Sequence, residues 1–360
     1  MKICYFFSNF HLSHLTGQPG MAYKTAKKAS EKGLKVYLVS NGTKNEQIVY
    51  NNMELFLIKG DGGISGYLLN IFHIVNYVRK KRPELIHVHG HLFVIYAWVI
   101  SKILRIPYVC SICETIDNKT LLPFLTGTIS KYLMVFCLKR SRAIFVTSEY
   151  IKKLLTDSGV KPHNIQVVRI GIDEIFLYAI DHYRENTDVL FYGDASRHRG
   201  FDIVWELAKK LHDYQFTVLL RYVENSCKHI LDEMKAMSNV KIRYYPYDEE
   251  LREIILKSKL IVLPYRWMSV RPPITLLESM ALGRCVVTSY LEGNEEIINE
   301  KNGVMVNLSR LDDVAEQIRV LLNNNDLRER IGKTARDSIH CAYSLKEYDK
   351  IFLSYKGVRT

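Results

Sequence analysis

Short apolar runs alternate with longer, helix-like stretches from the first residues onward. Ile3 to Phe7, Val36 to Val39, Glu54 to Ile58, Leu85 to His89, Tyr108 to Ile112, Ala143 to Thr147 and Ile165 to Arg169 read as buried strands. The intervals between them leave room for crossover helices, and that alternation predicts a parallel sheet covered on its faces. The rhythm restarts at Asp188 to Tyr192 and continues through Phe216 to Arg221, Val240 to Tyr244, Leu260 to Leu263, Cys285 to Ser289 and Gly303 to Val306. Two doubly wound α/β domains follow, and a chain of 360 residues is long enough for two cores. Residues 171–187 hold Asp, Glu, Tyr and Arg without strand alternation and are expected to connect the two.

The longest uninterrupted apolar run, Leu92 to Ile100, is far short of the roughly 20 residues that span a bilayer. The opening MKICYFFSNFHLSH is too soon broken by Asn9 and His11 for a secretory signal, so a cytoplasmic start is expected. Seven scattered cysteines, an odd number in mostly apolar surroundings, read as reduced packing residues. Cys110-Ser-Ile-Cys113 has redox-motif spacing, but its strand-like context predicts burial instead. At 48% hydrophobic and 24% charged residues, the composition excludes disorder and low complexity.

The net charge of +12 becomes informative when divided. Residues 1–172 carry 23 Lys and Arg against 9 Asp and Glu, whereas residues 173–360 carry 27 against 29. The dense runs Arg79 to Arg82 and Lys139 to Arg142 each end an apolar, helix-like segment, where cations offset the helix dipole. The imbalance as a whole points to an anionic surface or substrate met by the first half. No zinc-finger, RNA-motif or basic-helix pattern accompanies it, so nucleic acid is not an expected partner.

In doubly wound sheets ligands gather beyond the carboxyl ends of the strands, which directs attention to the loops there. After the first strand, Gly20 is expected to open a helix from Met21 to Lys32; it is an ordinary loop glycine or a substrate contact. Gly17-Gln-Pro-Gly20 lacks the spacing of a dinucleotide fingerprint and no Walker lysine follows. In His87-Val-His89-Gly90-His91, alternation puts His87 and His89 on one face. No cysteine or carboxylate stands at zinc-like spacing and no Asp-x-Asp occurs, so no metal is expected. Polar ligand contacts and buried, satisfied histidines both remain open readings.

The richest stretch is Leu260 to Asn307, which reads as strand, loop, helix, strand. Pro272 and Pro273 mark the helix start and Gly283 its end. The amides of Ile274 and Thr275 then emerge at the positive end of the helix dipole, suited to a diphosphate flanked by Arg271, each such dipole contribution being about 0.3 to 1 kcal/mol. Glu278, one turn on, can accept hydrogen bonds from a sugar diol. Upstream, Tyr192-Gly193-Asp194-Ala-Ser-Arg197-His198-Arg199-Gly200 leads into a helix from Asp202 to Leu211. Arg197 and Arg199 suit a phosphate clamp, because guanidinium binds phosphate oxygens bidentately.

Taken in order, these pieces resemble the retaining nucleotide-sugar glycosyltransferases of family 4. The likeness runs over nearly the whole chain: Gly17 to Gly20, Phe145-Val-Thr-Ser-Glu149, Val167 to Asp173, Gly193 to Gly200, Leu276-Leu-Glu278-Ser-Met-Ala-Leu-Gly283, Glu295-Glu296-Ile and Asn302-Gly303. The resemblance implies a GT-B fold, two doubly wound Rossmann-like domains facing each other across a cleft. The implied boundaries are 1–172 for an acceptor-binding domain, 173–187 for a linker, 188–338 for a nucleotide-sugar-binding domain, and 339–360 for a helix, legible as amphipathic from Tyr343 to Tyr355, that crosses back to the first. The implied reaction transfers a hexose from a nucleoside diphosphate sugar to a glycan or lipid-linked acceptor, with retention and without metal or cofactor. At matching positions, Glu278 binds the ribose, the amides near Ile274 and Thr275 hold the diphosphate, and Arg199 replaces the usual phosphate-binding lysine, with Arg197 beside it. Gly193, Gly20 and His89 complete the expected substrate contacts. Tyr245 or Tyr247 stacks on the nucleobase or belongs to the core.

With the acceptor on the first domain, its positive charge and the apolar helices Tyr67 to Val78 and Ile129 to Leu138 imply a polyprenyl-phosphate-type acceptor approached at an anionic membrane surface on the cytoplasmic side. Three positions depart from the family pattern. Val270 stands where the earlier of two glutamates is usual. Asp194 replaces an arginine and places an anion beside the diphosphate, so Arg197 is expected to offset it. Cys113 or Glu114 aligns with a frequent histidine. These departures keep a non-catalytic nucleotide-sugar or membrane-binding subunit as the alternative, beside other GT-B activities such as an epimerase or phosphorylase.

Overall fold

The apolar runs become strands of two separate sheets in a computed structural model, which describes residues 1–8, 17–59, 64–91, 93–115, 127–178, 185–245, 248–268 and 270–356. One unit comprises Met1–Arg169, Ser269–Arg271 and Lys346–Thr360; the other comprises Ile170–Met268 and Pro272–Leu345.

The first unit holds β1 (Lys2–Phe6), β2 (Lys35–Gly42), β3 (Glu46–Tyr50), β4 (Met53–Lys59), β5 (Leu85–His89), β6 (Tyr108–Ile112), β7 (Ile144–Val146) and β8 (Ile165–Val167), in the order β3-β4-β2-β1-β5-β6-β7-β8. Every pairing is parallel except that of β3 with β4. Continuous apolar strands reflect a sheet covered on both faces. The hairpin was not expected from the apolar pattern: Glu46–Tyr50 is a half-exposed edge strand, joined to β4 through Asn51 and Asn52 at φ 47° and 63°.

The helices of this unit are α1 (Gly17–Glu31), α2 (Ile64–Lys81), α3 (Val94–Leu104), α4 (Gly127–Leu138) and α5 (Glu149–Asp157). α1 begins at Gly17, so Gly20 lies within the helix instead of opening it. Pro19 is accommodated because amides of a first turn have no helical partner to lose. Ile74, Val78, Val94, Ala97, Ile100, Met134 and Leu138 close over Ile86, Val88, Cys110 and Ile112 to form the core. Burial of an aliphatic side chain of this size contributes about 1.5 to 3 kcal/mol. All seven cysteines are free thiols, six of them buried, and burial pushes Cys137 and Cys285 up to about 12.

The second unit holds β9 (Thr187–Ala195), β10 (Phe216–Val223), β11 (Val240–Tyr244), β12 (Ser258–Leu263), β13 (Cys285–Ser289) and β14 (Val304–Val306), ordered β11-β10-β9-β12-β13-β14 and parallel throughout. Its helices are α6 (Phe201–Lys210), α7 (Lys228–Lys235), α8 (Asp248–Leu256), α9 (Ile274–Ala281), α10 (Leu311–Leu322) and α11 (Asn325–Ala342). Strand order reverses between β9 and β12, the switch point at which doubly wound sheets bind ligands.

The tail is not one continuous helix. A 3-10 turn, Leu345–Tyr348, precedes α12 (Asp349–Lys356). At the break, Ile172 donates its amide to Tyr343 O, and Leu345 lies so close to Gly171 that a Cβ there would meet its backbone at 2.9 Å. α12 then packs within the first unit. Tyr355 is fully buried, its hydroxyl in reach of Tyr5 Oη and His87 Nδ1, and Lys28 and Lys32 pair with Asp349 at 3.3 and 3.2 Å.

Candidate functional site

At the switch point of the second unit, the loop after β9 and the loop after β12 are tied together. The amides of Arg266 and Trp267 both donate to His198 O, at 2.9 and 3.1 Å. Gly200, at φ 74°, approaches so closely that a Cβ would stand 1.9 Å from Pro264 O, which leaves glycine alone as a fit. Arg199, between these two anchors, is thereby held beside the loop that follows β12.

Pro273 caps α9 with no side-chain acceptor. The first-turn amides of Ile274 and Thr275 therefore keep no capping partner among the described residues. Three hydroxyls, those of Tyr192, Tyr265 and Ser279, brace that turn at Thr275. Tyr192 donates to Thr275 O at 2.6 Å and lies 2.9 Å from Ser279 Oγ, while Tyr265 Oη lies 2.5 Å from Thr275 Oγ1. Burial, with the Glu278 carboxylate added, raises the phenols of Tyr192 and Tyr245 well above their ordinary values. Burial also pushes Tyr265 up to about 12 against the pull of Arg199. These phenols keep their protons at neutral pH, and Glu278 sits in their company.

The Arg199 guanidinium carbon lies 5.8 Å from the Tyr265 ring, and its Nε is buried with no hydrogen-bond partner among the described residues. Beside it, Gly193 adopts φ 148°, with nothing within 4 Å of where a side chain would begin. Arg199, Thr275, Glu278, Tyr192, Tyr245 and Tyr265 thus converge beyond the carboxyl ends of β9 and β12, next to open backbone.

Asp194 is neutralised, though not by Arg197 as expected. Arg221 donates to its carboxylate twice, from Nε at 2.9 Å and from an Nη at 2.8 Å. The register of β10 shifts between Leu220 and Val223, a bulge-like irregularity of the kind that re-aims side chains, and Arg221 lies within it. Arg199 stands 3.8 Å from the same carboxylate. Arg197 is exposed and acts electrostatically on Cys227 of the next loop. Arg221, Tyr192 and Tyr265 were missed by sequence reasoning, although Tyr192 stands in β9, Tyr265 just after β12, and Arg221 in β10 beside them.

Of the other expected site residues, Tyr245 is half-buried with its ring 6.1 Å from that of Tyr192, and Tyr247 lies outside the described residues. Arg271 groups with the first unit: it is buried, donates its amide to Cys113 O, accepts from the Thr147 hydroxyl at its carbonyl, and lies 5.5 Å from the Tyr150 ring. Gly20 is buried in α1. His87 and His89 do share one face, ring centroids 4.3 Å apart. His87 bonds Tyr355 and Ser111, whereas His89 Nε2 is buried with no partner among the described residues. Burial lowers His89 to about 3, so it is neutral at physiological pH. Nearby, His91 Nδ1 lies 2.8 Å from Glu114, which bridges Val270.

A hollow of about 330 Å³ opens at the opposite, amino ends of β9 to β11. Its Arg243 and Lys257 are paired with Glu250 and Glu253, which leaves Lys241 as its one cation outside an ion pair among the described residues.

Residues 16–175 match the family described as glycosyltransferase family 4, and residues 178–338 match glycosyl transferases group 1. An uncharacterized glycosyltransferase of Methanocaldococcus jannaschii is 25% identical over 290 residues, 76% of each chain. The N,N'-diacetylbacillosaminyl-diphospho-undecaprenol alpha-1,3-N-acetylgalactosaminyltransferase of Campylobacter jejuni is 23% identical over 316 residues, 79% of this chain and 81% of that one. Among solved structures, Anabaena HepE in complex with UDP and glucose superimposes with a TM-score of 0.81 at 14% identity, over 99% of this chain and 100% of that one.

Proposed function

The chain belongs to the family 4 glycosyltransferases of the GT-B fold, and on that premise we propose that it transfers a hexose from a nucleoside diphosphate sugar to a lipid-linked acceptor of the polyprenyl-phosphate type, with retention and without a metal. The observation that carries the donor half is the convergence of Arg199 with the uncapped amides of Ile274 and Thr275. The diphosphate sits on those amides, its charge met by Arg199 and, from the solvent side, by Arg197. Glu278 accepts hydrogen bonds from the ribose diol, Tyr245 offers its ring to the nucleobase, and the open backbone at Gly193 lets the ligand pass close.

As the bond from the anomeric carbon to the phosphate oxygen breaks, negative charge builds on the departing diphosphate. Fixed dipoles and guanidinium stabilise it without reorganising, the largest single contribution in sites of this type. The acceptor hydroxyl attacks the same face of the sugar and yields its proton to the leaving phosphate oxygen. On the acceptor half, the neutral imidazole of His89, with its unpaired Nε2, is positioned to bond a sugar hydroxyl. The diphospho-undecaprenol in the name of the Campylobacter relative supports a lipid-linked acceptor.

Val270, in the place of a usual glutamate, favours a second reading as a non-catalytic subunit that binds nucleotide sugar. A panel of nucleotide sugars, offered with polyprenyl-phosphate-linked and free glycans, decides between them. Turnover predicts release of free nucleoside diphosphate and a product with the anomeric configuration of the donor. Binding without release establishes the subunit, and an inverted product removes the retaining mechanism.

A further inference from the structure

The solvent side of the helical layer formed by α2, α3 and α4 in the first unit is both apolar and free of carboxylates. α2 packs on α3 and α3 on α4, so the three form one continuous layer over the sheet. Leu69 and Phe72 on α2, Ile103 on α3, and Ile129 and Tyr132 on α4 each keep more than half of their surface exposed. Phe136, also exposed, meets the Trp98 ring edge-on and carries the Arg140 guanidinium 3.4 Å above its own. α2 and α4 share one pattern: exposed apolar residues three or four apart, then basic residues, in the last turn of α2 and just past the end of α4 at Lys139 and Arg140.

No Asp or Glu occurs in any of the three helices. Arg79, Lys80, Lys102, Lys131, Lys139 and Arg140 stand in no ion pair among the described residues, in contrast to Lys81, which is paired with Glu54. A helix face exposed only to water gains nothing from this absence of carboxylates. Interleaved cations and aromatic or aliphatic side chains match a surface that is anionic at the headgroups and apolar beneath.

We propose that this face is the docking surface for an anionic lipid bilayer, with Leu69, Phe72, Ile129 and Tyr132 entering the headgroup boundary and the lysines and arginines meeting lipid phosphates. It deepens the lipid-linked acceptor reading, on which its biological purpose rests, by naming where the enzyme meets the membrane that carries such an acceptor. Each cation removed weakens partition about fivefold, because each contributes about RT ln 5 near an anionic surface.

The test is co-sedimentation of the full chain with vesicles of phosphatidylcholine alone or of phosphatidylcholine and phosphatidylglycerol. The expected result is binding to the anionic vesicles only, weakened by salt, and lost in F72S/Y132S and in R79E/K80E while nucleotide binding by the full chain is unchanged. Absence of binding to anionic vesicles overturns the proposal, as does binding that survives both double variants. Equally tight, salt-sensitive binding to duplex DNA marks a merely basic surface and overturns it too. So does a self-association abolished by F72S/Y132S, which assigns the face to a second copy. Vesicle binding with equal turnover of free and lipid-linked acceptors leaves the surface standing and removes only the acceptor reading.

Discussion

Asp194 is repulsive toward a diphosphate as an isolated carboxylate, whereas in the folded chain it is paired with a guanidinium. Its two charge-assisted hydrogen bonds come from Arg221, 27 residues away and adjacent only because β9 and β10 pair. No spacing rule reveals such a partner before the strand order is known, which is why the amides, Arg199 and Glu278 could be named as candidates from the sequence and Arg221 could not. If Arg221 occupies Asp194, its loss turns that carboxylate toward Arg199. R221A is expected to raise the KM for donor about tenfold, near 1.4 kcal/mol, and D194N in the same chain to restore most of it. Kinetics over the double-mutant cycle check this; independent, additive effects contradict it.

The histidines carry a separate prediction. His87 and His89 are buried, and burial holds His87 well below its ordinary 6.5 and His89 near 3. The unfolded chain therefore binds more protons than the folded one once pH falls below about 6.5. Stability falls with acid from there down to the folded values, by on the order of 1.4 kcal/mol per pH unit for each residue. Urea melts between pH 7.5 and 5.5 should show that slope, reduced in H89Q. An unchanged slope in H89Q sinks the assignment.

At the scale of elements, central strands were legible because a sheet covered on both faces needs unbroken apolar runs. β3 escaped because an edge strand buries little, and its sign was the Asn51-Asn52 turn. The start of α1 escaped because Pro19 reads as a loop residue until one allows for its tolerance in a first turn. The tail escaped because its periodicity continues through the 3-10 turn at Leu345–Tyr348. α12 is held by the buried Tyr355 hydroxyl, and Y355F strands polar atoms on Tyr5 and His87. Denaturant unfolding is expected to show a loss of about 1 to 3 kcal/mol, and a neutral outcome contradicts the anchoring role. Around α9, Y265F removes the hydroxyl that positions Thr275 Oγ1. It should lower kcat more than stability, and an unaltered kcat means that this brace is dispensable.

For the whole molecule, the division of charge between the halves was legible from composition, while the carboxylate-free face that concentrates it required the packing of α2, α3 and α4. Pattern alone predicted two doubly wound units; the proposed donor site then rests on where the second reverses its strand order. A bound nucleotide stabilises the folded chain by mass action, about 2.7 kcal/mol at a hundred times its Kd. Hydrogen exchange with nucleoside diphosphate present should protect the loops after β9 and β12 and leave the amino ends of β9 to β11 unaffected. Protection at those amino ends instead locates the ligand in the other hollow.

The most direct test of the donor site is a crystal structure of the protein with a nucleoside diphosphate. The expected result is phosphate oxygens within hydrogen-bonding distance of the Ile274 and Thr275 amides and of Arg199, with the ribose hydroxyls on Glu278. A nucleotide bound elsewhere, with those amides facing only solvent, contradicts it.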